Sequence, residues 1–156
     1  MPLPALSEAF EKYRSRPTTY FVDAPTRLCC DGRNIDAVLC TADILSGGAI
    51  QVLLEEGLAG KVLVTGQDAD LASCQRIVEG TQSMTIYKPL KNLASTAAEL
   101  AVKMAKGQVI VAKEELDNGK VKVPSIYLKV MVVDKDSIDS TVVADGFHKR
   151  EAIYRK

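Results

Sequence analysis

The chain of 156 residues is long enough for one domain with a hydrophobic core and too short for two full α/β lobes. Its 20 basic residues balance 20 acidic ones, which argues against nucleic acid or an anionic membrane surface as a partner, because both favour a positive excess. The sequence has a single histidine, His148, and therefore no histidine cluster for a metal. We expect neither a metal nor another cofactor.

The first 34 residues show only a weak structural pattern. Ser7 is placed to cap a short amphipathic helix, and Thr18–Val22 is β-branched and aromatic, which favours a strand. The stretch 23–34 contains proline, glycine and asparagine and predicts an irregular connection. We therefore treat residues 1–34 as a separate helix–strand segment and residues 35–156 as the main part of the domain.

From residue 35 onward, short apolar runs alternate with amphipathic helical patterns. The predicted strands are Ile35–Thr41, Lys61–Thr65, Ser83–Tyr87 and Tyr127–Val133, and Val109–Ala112 is either a short strand or an extended segment. The predicted helices start near Ser46, Asp70 and Pro89, end near Gly57, Gly80 and Gly107, and are followed by a short helix and turn between Ser137 and Gly146. This alternation predicts a single three-layer α/β domain with a mostly parallel sheet and right-handed crossovers.

Each predicted helix carries apolar residues on one face, and we expect these faces to pack inward. The inward residues are Ile50, Leu53 and Leu54 on the first helix, Leu71, Cys74, Ile77 and Val78 on the second, and Leu90, Leu93, Ala97, Leu100 and Met104 on the third.

The four cysteines have no zinc-site spacing. Cys40 lies in a predicted strand and Cys74 on an apolar helix face, so we expect both to be buried core residues. The adjacent Cys29 and Cys30 have two interpretations, buried packing or adventitious redox chemistry.

Polar residues follow three of the predicted strands at the points where these strands end. They are Asp43 after the first, Gln67 and Asp68 after the second, and Lys88 after the third. In an open parallel sheet, ligands bind outside the carboxyl ends of the strands, so these residues would share one rim. A carboxylate can accept hydrogen bonds from two neighbouring hydroxyls and a lysine can donate to one, which suits a sugar.

Each of these residues also has a purely structural interpretation. Asp43 and Asp70 would then cap helices, and Asp68 and Lys88 would pair with each other. Gly47 and Gly48, at the start of the first helix, would reflect either close approach of a ligand or tight packing of the helix on the sheet.

At these residues the sequence resembles the D-xylose branch of the periplasmic sugar-binding proteins of bacterial ABC importers. The matching strings, in chain order, are NIDAV, GGAIQ, GLAGKV, GQDADLA, RIVEGTQSMTIYKPL, STAAELAV and DGFHK. They span roughly three-quarters of the chain, and three of them together, GQDADLA, GTQ-x-MT-x-YKP and DGFHK, are specific to the xylose branch. The resemblance covers the C-terminal lobe of that family and none of its N-terminal lobe.

The resemblance implies that Asp68 accepts hydrogen bonds from sugar hydroxyls and that Lys88 is its partner in binding the sugar. Asp43 matches the aspartate of the family's Ser-Asn-Asp strand end. Two departures stand out: Ala42 replaces the asparagine of that string, which removes an amide contact with the sugar, and the family's tryptophan has no counterpart in a chain without tryptophan.

The function that we expect is binding of a pentose, D-xylose, by one lobe of a periplasmic or extracellular receptor that serves an ABC permease. Sugar binding by this chain alone should be weak, because the sugar stays solvated on the side where the second lobe would close.

The start of the chain, Met1 to Pro4, has no secretory signal, so a complete gene product of this length would stay in the cytoplasm. Apolar surface left uncovered by the second lobe predicts a homo-oligomer.

Two other classes are open. An interaction or regulatory module would contact a permease or a sensor protein without binding sugar, and Ala42 favours it mildly. A receiver-like signalling domain would use Thr65 and Lys88 with Asp23 and Asp43, but the acidic pair after its first strand is missing. No nucleophile–base pair or phosphate loop appears, so we do not expect an enzyme.

Overall fold

A computed structural model describes residues 19–22 and 35–155. Contacts divide the chain into two compact units, of which the first runs up to Tyr87 and resumes at Met131, and the second is Lys88–Val130. No helix in the described residues is long and apolar enough to cross a membrane.

Strands and helices alternate between Ala37 and Ala105 as the sequence predicts, whereas strands follow one another after Ala105. The strands are β1 (Thr19–Val22), β2 (Ala37–Cys40), β3 (Leu63–Val64), β4 (Thr85–Tyr87), β5 (Glu114–Asp117), β6 (Lys122–Ser125) and β7 (Met131–Val133). The α-helices are α1 (Asp43–Glu55), α2 (Leu71–Glu79), α3 (Leu90–Ala105) and α4 (Arg150–Ile153), and a π-helical turn covers Asp139–Val143.

The first unit is built on a mixed sheet in which the parallel pairing is the predicted one. Strands β1, β2 and β3 are adjacent and parallel, with Val38 opposite Tyr20 and Val64. A parallel bridge between Thr65 and Met84 continues this pairing towards β4. Strand β7 then pairs antiparallel with β4. The α/β class and the mostly parallel sheet are therefore confirmed.

Two clusters of buried side chains form the core of the first unit. One joins β2 and β3 to α1 through residues such as Val38, Val64 and Leu53. The other joins α2, β4, β7 and the C-terminal elements through residues such as Cys74, Tyr87 and Val133. Since all four side chains of β2 are buried, its nearly continuous apolar sequence has a direct physical explanation.

Cys40 and Cys74 are free and buried, as predicted. Burial raises the pKa of the Cys40 thiol to about 11 and that of Cys74 to about 12. Cys29, Cys30, the predicted helix at Ser7 and the connection 23–34 lie outside the described residues.

The starts of three helices differ from the prediction in detail. Helix α1 begins at Asp43 after an N-cap at Ala42, three residues before the predicted start near Ser46, and the Ser46 hydroxyl donates to the Asp43 carbonyl at 2.7 Å. Asp70 occupies the N-cap position of α2 as predicted, yet its side chain makes no capping hydrogen bond. Pro89 stands at the N-cap of α3, one residue before the predicted position.

The second unit contains α3 and an antiparallel hairpin of β5 and β6. Helix α3 has the predicted length, but none of its residues is buried, and Leu90, Leu93 and Met104 are 52%, 50% and 67% exposed. The prediction that this face packs inward was therefore wrong.

Three further differences lie near the hairpin. Of the two interpretations of Val109–Ala112, the strand was wrong, since none of the described strands pairs with it and Val109 is 89% exposed. Strands β5 and β6 were missed because their sequences are polar, although Asn118-Gly119 between them is a typical hairpin turn, in which Gly119 is left-handed with φ +85°. Of the predicted strand Tyr127–Val133, only β7 forms.

Candidate functional site

A short loop connects β3 to α2 at the carboxyl end of the parallel strands, and we call residues 66–70 the Asp68 loop. It continues the pairing with β4, because the Asp68 N–H donates to the Ile86 carbonyl at 2.9 Å and the Ile86 N–H donates to the Gly66 carbonyl at 3.2 Å. Asp68 is exposed in this loop, and Gln67 is half-buried.

The backbone of this loop is strained at two consecutive positions. Asp68 has φ +103° and Ala69 has φ +55°, a region that residues other than glycine rarely adopt. Each such residue costs roughly 1–3 kcal/mol and persists only where its surroundings hold it in place. Backbone strain of this kind concentrates at functional sites, and the residues that contact the loop must hold it in this conformation.

The carboxylate of Asp43 lies directly beneath the loop and is 1% exposed. It accepts hydrogen bonds from Thr85 Oγ1 at 2.9 and 3.0 Å, from Gln82 Nε2 at 3.1 Å and from the backbone N–H of Asp70 at 2.9 Å. A buried carboxylate is tolerated only when it is hydrogen-bonded in this way. Asp43 therefore ties the end of the loop to β4.

Burial raises the pKa of the Asp43 carboxyl above its ordinary range. The hydrogen bonds from the Asp70 N–H and from the side chains of Thr85, Ser73 and Gln82 oppose this rise. Desolvation is the larger effect, so the folded state holds a proton at Asp43 more tightly than the unfolded chain does.

Further polar side chains surround Asp43 and complete a buried network. The Gln82 side chain is 2% exposed; its Nε2 lies 2.6 Å from Ser73 Oγ, and its Oε1 accepts from Arg76 Nε at 3.0 Å and lies 3.0 Å from Ser46 Oγ. We refer to the six residues of this network as the Asp43 cluster, namely Asp43, Ser46, Ser73, Arg76, Gln82 and Thr85. Among the described residues, no buried side-chain nitrogen or oxygen lacks a hydrogen-bond partner.

Gly66 is the point where the loop approaches this cluster most closely. A Cβ atom added at Gly66 would lie 2.0 Å from Asp43 Oδ1 and 2.6 Å from Gln82 Nε2. The φ of Gly66 lies outside the left-handed region, so it is the lack of a side chain, and not backbone freedom, that this position requires.

The far side of the loop contacts the C-terminal segment. His148 Nε2 lies 2.9 Å from the Ala69 carbonyl, which can only accept, so this contact needs the tautomer with hydrogen on Nε2. The ring of Phe147 stands between His148 and Tyr87, with centroid distances of 4.5 and 5.0 Å. The Tyr87 hydroxyl donates to Asp145, and burial raises the pKa of Tyr87 to about 12. Ala69 is thus held by Thr85 through its N–H and by His148 through its carbonyl.

The structure distributes the predicted site residues over different environments. Asp68 is exposed at the predicted rim and Gln67 is half-buried beside it, while Asp43 lies beneath the rim. Lys88 is half-buried and is the first residue of the second unit, directly after β4. Ala42 is half-buried at the N-cap of α1.

Neither glycine of the Gly47-Gly48 pair is needed for tight packing. A Cβ at Gly48 would meet nothing within 4 Å, and one at Gly47 would make an ordinary contact, 3.5 Å from the Arg76 guanidinium. The packing interpretation of this pair was therefore wrong.

The sequence pattern missed the supporting residues of the loop, above all Thr85, Gln82 and His148. Only Thr85 carried a signal, because it is a polar residue between Met84 and Ile86 in a predicted buried strand; the sequences around Gln82 and His148 are polar and gave none.

Comparison with known proteins identifies relatives for most of the chain. Residues 28–108 match the family model described as periplasmic binding protein domain. D-xylose-binding periplasmic proteins from Haemophilus influenzae and Escherichia coli are 50% and 49% identical to the chain, each over 81% of its length. The chain spans 38% of the length of each of these two relatives.

A solved structure gives the same result for the fold. A carbohydrate transporter solute binding protein from Chloroflexus aurantiacus, in complex with D-glucose, superimposes with a TM-score of 0.69 at 29% identity, over 74% of this chain and 34% of that one. These matches confirm the family resemblance seen in the sequence.

Proposed function

This chain belongs to the periplasmic binding protein domain family, and we propose from that membership that it supplies one side of the D-xylose site of a receptor for an ABC-type sugar importer. The sugar is the one named for the relatives that share about half of its residues. The corresponding place of action is the periplasm.

The observation that carries this proposal is the placement of Asp68. Its side chain is exposed on a strained loop at the carboxyl end of the parallel strands, where ligands of such sheets bind. A carboxylate there accepts hydrogen bonds from two adjacent hydroxyls of a pentose, and the fixed backbone lowers the entropy cost of that contact.

Gln67 and Lys88 extend the site in this proposal. Gln67 precedes Asp68 on the loop and offers an amide that both donates and accepts. Lys88 follows β4, the strand that pairs with the Asp68 loop, and offers an ammonium donor to a hydroxyl or to the ring oxygen.

The affinity of this chain for xylose follows from the number of hydrogen bonds. About four bonds to a sugar that stays in contact with water contribute roughly 1 kcal/mol each, so the dissociation constant should be about 1 mM or weaker. The amide missing at Ala42 removes a further contact of the family site.

Chemical-shift titration of the 15N-labelled chain with D-xylose up to about 100 mM tests the proposal. We expect fast-exchange shifts centred on the amides of the Asp68 loop and of Lys88, and we expect Asp68→Ala to abolish them. Ser95→Ala, on the exposed surface of α3, is the control. Shifts that survive Asp68→Ala would refute the proposed site, and micromolar affinity in calorimetry would refute the one-sided site.

We further propose that the chain forms homo-oligomers through the apolar face of α3. This face is half-exposed at Leu90 and Leu93, and a formal net charge of zero leaves little repulsion between copies. Light scattering should show a dimer or larger species, and Leu93→Lys should dissociate it while Ser95→Lys, about 200° away around the helix, should not. A monomer at high concentration would contradict this.

A second candidate function rests on Ala42. Without the amide of the family's asparagine, the lobe would act as an interaction module that contacts a permease or a sensor protein. Binding to the permease or the sensor that is unchanged by Asp68→Ala, together with no xylose-dependent shifts, would favour this function over sugar binding.

A further inference from the structure

Asp43 is buried under the loop that carries Asp68, and this arrangement suggests a role other than ligand contact. We infer that Asp43 is a positioning residue, which holds the Asp68 loop in its strained conformation and thereby sets the geometry of the Asp68 carboxylate. The link to sugar binding rests on the proposed function, whereas the effect on the loop does not.

Two hydrogen-bonded routes connect Asp43 to the loop. The direct route is the bond from the Asp70 N–H to Asp43 Oδ2 at 2.9 Å. The indirect route runs through Thr85, whose hydroxyl donates to Asp43 at 2.9 Å and accepts from the Ala69 N–H at 3.2 Å. The two routes thus fix the two residues that follow Asp68.

The start of the loop is held by the same helix turn. The backbone N–H of Asp43 donates to the Gln67 carbonyl at 2.8 Å, so Asp43 contacts the residues on both sides of Asp68. Since Asp68 and Ala69 have positive φ values, the loop would relax to a different conformation if these contacts were lost.

Asparagine cannot replace Asp43 in this role. The two carboxylate oxygens face different donors, Gln82 Nε2 at Oδ1 and the Asp70 N–H at Oδ2. An amide in either orientation turns its NH2 group against one of these donors. Asp43→Asn therefore changes the loop while it preserves the size of the side chain.

Amide hydrogen exchange of the full chain, read by NMR, tests the inference without any sugar. In Asp43→Asn we expect the protection of the Asp70 and Ala69 amides to fall by about tenfold or more, since a bond to a charged group is lost. Leu53→Ala is the control: it opens a cavity in the other core cluster, where Leu53 is fully buried, and lowers global stability without touching the loop. If both variants reduce loop protection equally at matched stability, Asp43 contributes only to global stability and the inference is overturned.

A milder pair of variants keeps the test valid if Asp43→Asn does not fold. Thr85→Val removes the hydroxyl that joins Asp43 to the Ala69 N–H, and Thr85→Ser keeps it. We expect lost protection at Ala69 in the valine variant and near-normal protection in the serine variant. Equal protection in the two variants would contradict the indirect route.

Xylose titration separates this inference from the proposed function. If Asp43 acts through Asp68, then Asp43→Asn weakens the xylose-induced shifts together with the protection of the Ala69 and Asp70 amides. A variant that keeps the protection of these amides and still loses the shifts would show that Asp43 contacts sugar directly and would overturn the inference. A loop that changes in Asp43→Asn while no sugar binds to the wild-type chain would support the positioning role and refute the sugar site.

Discussion

Gly66→Ala should be one of the most destabilising single substitutions in this chain, although it adds only one methyl group. The new Cβ would lie 2.0 Å from Asp43 Oδ1, whereas ordinary contacts begin near 3.4 Å, so the loop or the carboxylate must move by about 1.4 Å. Such a movement breaks the bonds that Oδ1 accepts from Thr85 at 2.9 Å and from Gln82 at 3.1 Å.

The expected loss follows from the energy of these two bonds. A hydrogen bond to a charged group contributes about 1.5–3 kcal/mol, so we expect the free energy of unfolding to fall by about 3–5 kcal/mol after partial relaxation. In a chain of this size, that loss lowers the melting temperature by about 10 °C. Thermal unfolding followed by far-ultraviolet circular dichroism measures it.

The matched control is Gly48→Ala in the exposed interior of α1, where a Cβ meets nothing within 4 Å. Alanine there should stabilise the chain by about 0.5–1 kcal/mol, because it lowers the entropy of the unfolded state. In addition, Gly66→Ala should cost less in an Asp43→Ala background, where the clash with Asp43 is absent and only the clash with the flexible Gln82 side chain, at 2.6 Å, remains. A Gly66→Ala variant that melts within about 2 °C of the wild type would refute the close approach on which this account depends.

Three further predictions concern other parts of the same unit. Ala42→Asn and Ala42→Ser should both stabilise the chain by about 1 kcal/mol in thermal unfolding, since either side chain can cap α1. Only the asparagine should also strengthen the xylose-induced shifts. Equal sugar binding by the two variants would contradict the loss of an amide contact at this position. Because burial raises the pKa of Asp43, the folded state is stabilised by tighter proton binding at this carboxyl. This stabilisation is present in full below the ordinary aspartate pKa and is lost as the pH rises through the raised pKa. The free energy of unfolding, measured between pH 3 and pH 7, should show this loss in the wild type and not in Asp43→Asn. Cys40 and Cys74 should resist iodoacetamide at pH 8 in the folded protein and react after unfolding, as peptide mapping would show, because their raised pKa values and burial suppress the thiolate.

The sheet and the helices of the first unit could be predicted because local signals agree with burial there. Strand β2 is apolar throughout and buried on both faces, and α2 ends at Gly80, which adopts the left-handed conformation that its position after the helix suggested. Apolar periodicity did not reveal the hairpin of β5 and β6, since its polar residues form a strand pair that buries little, and the turn residues Asn118-Gly119 were the only sequence signal for it.

The candidate site was predictable only in part. The exposed position of Asp68 could be predicted, because a polar residue after a strand of a parallel sheet is expected at the edge where ligands bind. The burial of Asp43 could not be predicted, because the sequence pattern of an acidic residue after a strand is the same whether that residue is exposed or buried in a polar network. The burial follows from the positions of Gln82, Thr85 and Gly66 in the structure. The exposed face of α3 was missed because helical periodicity identifies an apolar face but not what covers it.

The central claim is that the Asp68 carboxylate receives the hydroxyl groups of a pentose, and a crystal structure of the chain grown at a D-xylose concentration well above about 100 mM tests it most directly. We expect electron density for one sugar whose adjacent hydroxyls lie within hydrogen-bond distance of the two Asp68 carboxylate oxygens, with Asp43 still buried beneath the loop. A sugar bound away from the Asp68 loop, or a loop free of sugar in a fully occupied crystal, would contradict it.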